Sequence, residues 1–433
     1  VRCVVFGASG YLGCRLVPEL LEAGHEVRAA VRTTAKLDDV PWRPRAEIVR
    51  ADVTDAASVA AALDGQDVVY YLVHALHQRD FVQRDRLAAH IVADASAEAG
   101  VRRIVYLGGL TPPGKLSDHL ASRAEVGRIL LESGVPTAVL RAAIVVGSGS
   151  ASFEMLRHLT ERLPAMVTPR WVHNRVQPIA VRDVLHYLVH AADLPPEVSR
   201  AFDIGGPDVL TYLRMMRRFA AVADLPRRVV VPVPVLTPRL SAQWIDVVTP
   251  VPRRIAVPLV ESLVHEVVCR EHDIAEHIPD PEPTGYDDAL RLALAHTRRA
   301  GEPWPDPLPS DPLPSDPAWS GGSVYEDVRE CHSTASPDRL WAVVESIGGH
   351  RGWWPAGEPR VLRLDLPRVV PGRGWLELSV TPEPGGCRYR QRAVFEPRGL
   401  AGHLYWKAGA PVLGVVFAAM AQGIARLRTP VTA

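Results

Sequence analysis

Val1 to Phe6 is a nearly unbroken apolar run, and Cys14 to Ala23 behind it places apolar residues at helical spacing. A run, a glycine-containing break and an amphipathic stretch predict strand, turn and helix. The unit recurs, with short apolar runs at His25 to Val31, Glu47 to Ala51, Asp67 to Leu72, Arg103 to Leu107 and Thr137 to Leu140, each preceded by a helical pattern. Such alternation predicts an α/β fold with a doubly wound parallel sheet. Asp183 to Ala192 reads as a further helix and Ala201 to Ile204 as a further strand. From Gly205 to about Arg299 the pattern changes to helices and proline-interrupted pieces such as Val229 to Val235, which predicts a lobe built on the sheet.

Residues 301–322 are rich in proline and carry Pro-Leu-Pro-Ser-Asp in tandem, the composition of a semi-rigid, extended linker. This divides the chain into residues 1–300, with the lobe mainly in 205–300, and a smaller domain over 323–433. The smaller domain predicts a strand at Val324 to Cys331, a helix at Pro337 to Ile347, and strands at Arg360 to Leu366, Trp375 to Thr381 and Cys387 to Phe395. A closing helix is expected from about Pro411 to Arg428. Leu404 to Ala425 contains a single charge, Lys407, but Gly409, Pro411, Gly414 and Gln422 interrupt the apolar run that a membrane span requires. The expectation is a buried helix, with peripheral or integral membrane contact as the alternative.

Charge is balanced at 49 basic and 49 acidic residues over 433, so neither nucleic acid nor an anionic surface is implied as the main partner. Five scattered cysteines without a C-x-x-C pair fit a reducing compartment. No charged, cleavable leader precedes the first strand, and a cytoplasmic location is expected.

The first break is Gly7-Ala8-Ser9-Gly10-Tyr11-Leu12-Gly13. In such a turn Gly7 permits the bend, Gly10 lets the backbone approach a diphosphate, and Gly13 lets helix and strand pack closely. Ser9, Tyr11 and Leu12 complete the candidate phosphate loop. An acidic residue after the second strand would accept the 2′-hydroxyl of NAD, whereas this chain has Arg32-Thr33-Thr34, which suits the 2′-phosphate of NADP, with NAD as the alternative. Asp52-Val53 follows the third strand, where a carboxylate can accept from adenine, and Leu72-Val73-His74 ends the fourth beside the expected nicotinamide ribose.

These motifs, with Tyr70 to His74, Leu140 to Gly147 and Val176 to Val184, resemble the extended and atypical short-chain dehydrogenase/reductases. More narrowly, the chain resembles a bacterial atypical subgroup related to NmrA-like proteins, in which a Rossmann half is fused to a START-like, helix-grip ligand cradle. The C-terminal resemblance rests on Trp341 to Trp354 and on Phe395 to Leu400 with Leu404-Tyr405-Trp406. It implies an apolar ligand such as a lipid, quinone, polyketide or isoprenoid, with Trp353, Trp354, Trp375, Tyr405 and Trp406 as aromatic walls. Only Pro355 to Pro359 separate the tryptophan pair from the next strand, fewer residues than the family carries, which puts a closed cavity in question.

The resemblance also implies a catalytic Tyr-x-x-x-Lys pair and a strand-end serine. Here His119, Arg123 and Gly108-Gly109 stand in those places. His119 and Arg123, four apart, share one helix face, so Arg123 can hold the ribose and repel a proton from His119, leaving a neutral imidazole for acid/base work. His74, His77, His173 and Ser117 are further cleft candidates. Cys269-x-x-His272 with His277 has some metal-like spacing, but it lacks a fourth ligand and lies in what reads as a charged, solvated helix, so no metal site is assigned.

Three readings stand. One is an NADP-dependent oxidoreductase acting on a hydrophobic carbonyl-type substrate; another is a non-catalytic NADP(H)-binding redox sensor or assembly scaffold; the third, which rests on the C-terminal apolar run, is a membrane-associated lipid-handling module.

Overall fold

The computed structural model describes residues 1–76, 78, 80–233, 248–279, 282–295, 316–317, 319–320, 324–347, 350–351, 360–365 and 370–426. His77, residues 301–315 of the proline-rich run, Trp353 and Trp354 lie outside the described residues. The chain divides into two compact units, Val1–Thr160 with Pro164–Gly321, and Glu161–Leu163 with Gly322–Ala433.

The first unit is built on seven parallel strands: β1 (Arg2–Phe6), β2 (Glu26–Val31), β3 (Glu47–Arg50), β4 (Val68–Tyr71), β5 (Arg103–Gly109), β6 (Thr137–Ala142) and β7 (Arg200–Ile204). Their order is β7-β6-β5-β4-β1-β2-β3, so the chain reverses direction across the sheet between β1 and β4. The strands are apolar on both faces because helices cover both. Val5, Val27, Tyr70, Val105 and Leu140 face one core with α1 (Tyr11–Glu22) and α6 (Val181–His190). Val4, Phe6, Tyr71, Ile104 and Val139 face the other, with α2 (Ala56–Leu63), α3 (Phe81–Glu98) and α4 (Asp118–Leu131).

The lobe stands off this sheet. It contains α5 (Ala151–Arg162), α7 (Tyr212–Val222), α8 (Arg253–Ser262) and α9 (Tyr286–Ala295). Val229–Val233 pairs in parallel with Ala165–Pro169 and not with the large sheet, because alternate prolines remove ladder donors. The segment Cys269 to His277 is not the solvated helix its charges suggest. Cys269 is buried beside Gly205 and Gln177, and only Asp273–Glu276 forms a short helical turn. Burial pushes the Cys269 thiol up to about 12, so it is held as a neutral thiol.

The second unit is a five-stranded antiparallel sheet: β8 (Tyr325–Ser333), β9 (His350–Arg351), β10 (Arg360–Asp365), β11 (Gly372–Glu383) and β12 (Gly386–Pro397), in the order β8-β12-β11-β10-β9. One face packs on α10 (Pro337–Ser346) and on α11 (Gly399–Ala425) through Leu340, Val344, Leu378, Tyr389, Ala421 and Ile424. Among the expected aromatic walls, Trp406 is stacked between Tyr325 and Phe395, and Trp375 is buried under Arg363.

The closing helix departs from its expectation twice. It begins at Gly399, twelve residues before the expected start at Pro411, and runs through that proline. Pro411 lies on an exposed side, so the carbonyl it leaves without an N–H partner can be solvated. The helix is also largely uncovered, not buried: Leu404, Tyr405, Val412, Val415 and Val416 are exposed, Val415 at 70%. Among the described residues it is the one helix long and apolar enough to cross a membrane.

Candidate functional site

The site begins where β1 hands the chain to α1. Gly7 has a φ of +89°, and its carbonyl accepts from the Gly10 N–H at 2.8 Å, which closes the turn. Gly10 is extended and caps a helix that starts at Tyr11, so the first free amides of α1 open at the topological switch between β1 and β4. A Cβ at Gly13 would lie 2.2 Å from the Gly7 oxygen, and one at Gly7 would lie 2.9 Å from the Leu72 oxygen. The backbone alone fills this space, as a loop that must lie against a diphosphate requires. Leu72 and Val73 thus flank the turn directly. Ser9 and Leu12 are half-buried beside it.

Tyr11 contributes differently from its expected place in the loop. Its ring lies toward Gly147 and carries the Arg15 guanidinium at 4.1 Å, which leaves its main-chain amide at the turn. Arg32 and Thr33 are exposed at the end of β2. The Asp52 carboxylate is held below its ordinary range by the Thr54 amide and hydroxyl, with Arg32 adding a favourable charge. Arg32 and Asp52 thus follow β2 and β3 within electrostatic reach of one another, and Val53 is buried.

After β4, His74 Nδ1 lies 2.5 Å from Asp85 Oδ2, and the second oxygen of Asp85 accepts from the Ala75 amide. Ser122 donates to the same carboxylate. The His74 and His119 rings lie 5.3 Å apart. His119 sits in the first turn of α4, which is capped by the Ser117 hydroxyl. Its Nδ1 is 3.1 Å from Ser262 Oγ, and Ser117 Oγ is 3.0 Å from the same atom. With its hydrogen on the Pro258 carbonyl at 2.8 Å, Ser262 Oγ faces His119 as an acceptor. Nδ1 then carries the proton, and the lone pair of the neutral imidazole is on Nε2. Burial, with Arg123 and His74 nearby, holds His119 well below its ordinary value, which keeps it neutral. Arg123 donates from Nη2 to the Leu107 carbonyl at 2.5 Å, which anchors it at the end of β5.

The structure therefore brings His74, His119, Ser117 and Arg123 together, and adds three residues that the sequence did not single out. Asp85 and Ser122 lie on helices whose spacing carries no chemical signature, and Ser262 is 143 positions from His119. His173 lies elsewhere, in a short helical turn, Arg170–His173, of the lobe.

Residues 7–141 match the model of an NAD(P)H-binding family, and residues 360–420 match DUF2867, a family of unknown function. The fold is shared with a Bordetella bronchiseptica enzyme, WbmH, solved with NAD+, at TM-score 0.52 and 15% identity over 70% of this chain and 99% of that one. A Citrobacter triphenylmethane reductase gives 0.54 and 18%, over 68% and 100%. An uncharacterized Mycobacterium tuberculosis protein is 29% identical over 52% of this chain, which spans only 24% of that relative's length. A 3β-hydroxysteroid dehydrogenase/Δ5→4-isomerase of the same organism is 33% identical over 24% of this chain and 30% of its own. The first unit thus has a Rossmann-type fold, and its residues 7–141 are similar to NAD(P)H-binding domains.

Gly13→Ala is expected to weaken nucleotide binding about a hundredfold or more, about 2.8 kcal/mol, because the new methyl displaces the Gly7 carbonyl. Calorimetry with the variant checks it, and an affinity within tenfold of wild type contradicts it. A second expectation concerns pH. Folded His119 resists the proton that the unfolded chain takes up near 6.5, so its contribution to stability is complete above that value and is lost as the pH falls below it. In urea unfolding, wild type should lose up to about 1.4 kcal/mol per pH unit more than His119→Asn in that acid window. Parallel pH profiles would count against the neutral buried imidazole.

Proposed function

We propose that the chain is an NADP(H)-dependent oxidoreductase that interconverts a hydrophobic alcohol and its carbonyl compound, with NAD(H) as the weaker nucleotide. The observation that carries this reading is the His119 tautomer: a neutral ring whose Nε2 lone pair can take a proton, in the helix position where the resembled family has tyrosine. The amides of Tyr11 and Leu12 would hold the diphosphate, Arg32 the 2′-phosphate, and Asp52 the adenine. When bound, the nicotinamide ring supplies or accepts the hydride. In the direction of alcohol oxidation, His119 Nε2 takes the hydroxyl proton as the substrate carbon gives up its hydride; reduction returns that proton to the carbonyl oxygen. Ser262 fixes the ring through Nδ1, and Arg123 disfavours its protonation before substrate arrives. Met155, Val251, Ile255 and Val260, packed with Leu76 and Trp171, supply the apolar surroundings that support a hydrophobic substrate.

A second reading, nucleotide binding without turnover, is favoured by one contact. Arg123 Nη2 donates to the Leu107 carbonyl, which commits part of the guanidinium to the end of β5. Nucleotide titration and turnover separate the two. The first reading expects NADPH to bind, Arg32→Ala to weaken NADPH about tenfold more than NADH, and His119→Ala to lower kcat about 10²- to 10⁴-fold with a reactive carbonyl. Retained nucleotide and no turnover over a broad carbonyl panel support the second.

For the second unit we propose a START-like cradle for an apolar ligand, supported by an antiparallel sheet that packs on a long C-terminal helix. The exposed stripe of that helix supports contact between a cytoplasmic protein and a membrane surface. Co-sedimentation with phospholipid vesicles should fall severalfold when Val412, Val415 and Val416 are all changed to Gln; unchanged sedimentation refutes the contact.

A further inference from the structure

Asp316, Pro317, Trp319 and Ser320, at the far end of the proline-rich run, pack into the first unit. Asp316 accepts two bonds from the Arg15 fork, at 2.8 and 2.6 Å, and both side chains are only 2% exposed. Arg15 is itself fixed, by bonds to the Tyr11 and Ser148 carbonyls and by the Tyr11 ring. A forked pair out of water tolerates few geometries, so it pins the chain three residues ahead of Trp319. A local turn, closed by Ser320 on the Pro317 carbonyl, then directs the indole inward. Trp319 packs against the lobe's apolar cluster of Met155, Val251, Ile255, Ala256 and Val260, as Leu76, Leu259 and Leu263 also do, and its carbonyl lies 3.4 Å from His158 Nε2. Leu76 is two residues beyond His74, and Leu259 and Leu263 bracket Ser262, the partner of His119.

We propose that Trp319 is a wall of the apolar substrate site and sets the length of the hydrophobic chain that site accepts. The inference rests on the oxidoreductase reading and adds its specificity determinant. A rigid indole, anchored through Arg15 and Asp316, abuts the cluster that α8 builds. Removing it lengthens the space available behind the reacting carbon without touching the nucleotide groove.

The test is NADPH oxidation by straight-chain aldehydes from butanal to dodecanal in wild type, Trp319→Phe and Trp319→Ala. Trp319→Ala is expected to move the optimum of kcat/KM to a longer aldehyde and to raise dodecanal relative to butanal about tenfold, with Trp319→Phe between, and with calorimetry giving the same NADPH affinity in all three. Trp319→Phe keeps a ring in the cluster and carries the comparison by itself should the alanine variant not fold. One common factor on every aldehyde would overturn the proposal, because a merely structural tryptophan scales all substrates alike. Absence of turnover with wild type would count against the oxidoreductase reading alone. The wall is then read from displacement of anilinonaphthalenesulfonate from the NADPH-loaded chain by the matching alcohols: a length ranking changed in Trp319→Ala supports it, and an identical ranking overturns it.

Discussion

The contact between Gly13 and the Gly7 carbonyl sets the position of everything that follows. With no side chain at either residue, α1 lies against the end of β1, and its first amides open at the point where the sheet reverses direction. A single methyl group there would force the helix outward. Because β2 and β4 flank β1, the same contact places Arg32 at one end of the groove and His74 at the other. The phosphate turn is therefore both a packing joint and the origin from which the rest of the site is measured.

The chemistry at the far end of the groove depends on burial more than on charge pairing. A tyrosine–lysine pair works by having a cation favour an ionised oxygen. Here a cation stands beside an imidazole, which opposes protonation, and burial acts in the same direction. The result is a neutral imidazole whose Nδ1 faces the Ser262 hydroxyl. His74 lies beside it, held by the Asp85 carboxylate that also accepts from the Ala75 amide and Ser122.

Apolar surface is distributed unevenly between the two units. In the first, both faces of the sheet and most of the lobe are covered. In the second, α11 turns one side to the sheet and leaves Leu404, Val412, Val415 and Val416 outside. Buried charge is uneven too: the Arg15–Asp316 pair ties the tail of the proline-rich run to the nucleotide-binding unit through the helix that carries the phosphate turn.

The strand runs and the glycine triplet were enough to place the parallel sheet, the phosphate turn and the ends of β2, β3 and β4, because each is a local consequence of apolar period and backbone freedom. The same local reasoning put His119 and Arg123 on one helix face. It failed for α11, whose proline and glycines read as interruptions although solvent tolerates them there, and for Tyr11, whose ring direction is decided by Gly147 and Arg15. Ser262, Asp85 and Trp319 were illegible for a common reason: each acts through a partner distant along the chain, and nothing in the residues around it encodes that partner. Sequence by itself determined the parallel α/β sheet and where its glycine turn would lie, since both follow from short-range patterns. Only tertiary packing decided the protonation of His119 and which residues surround it, since dielectric and neighbours belong to the folded chain alone.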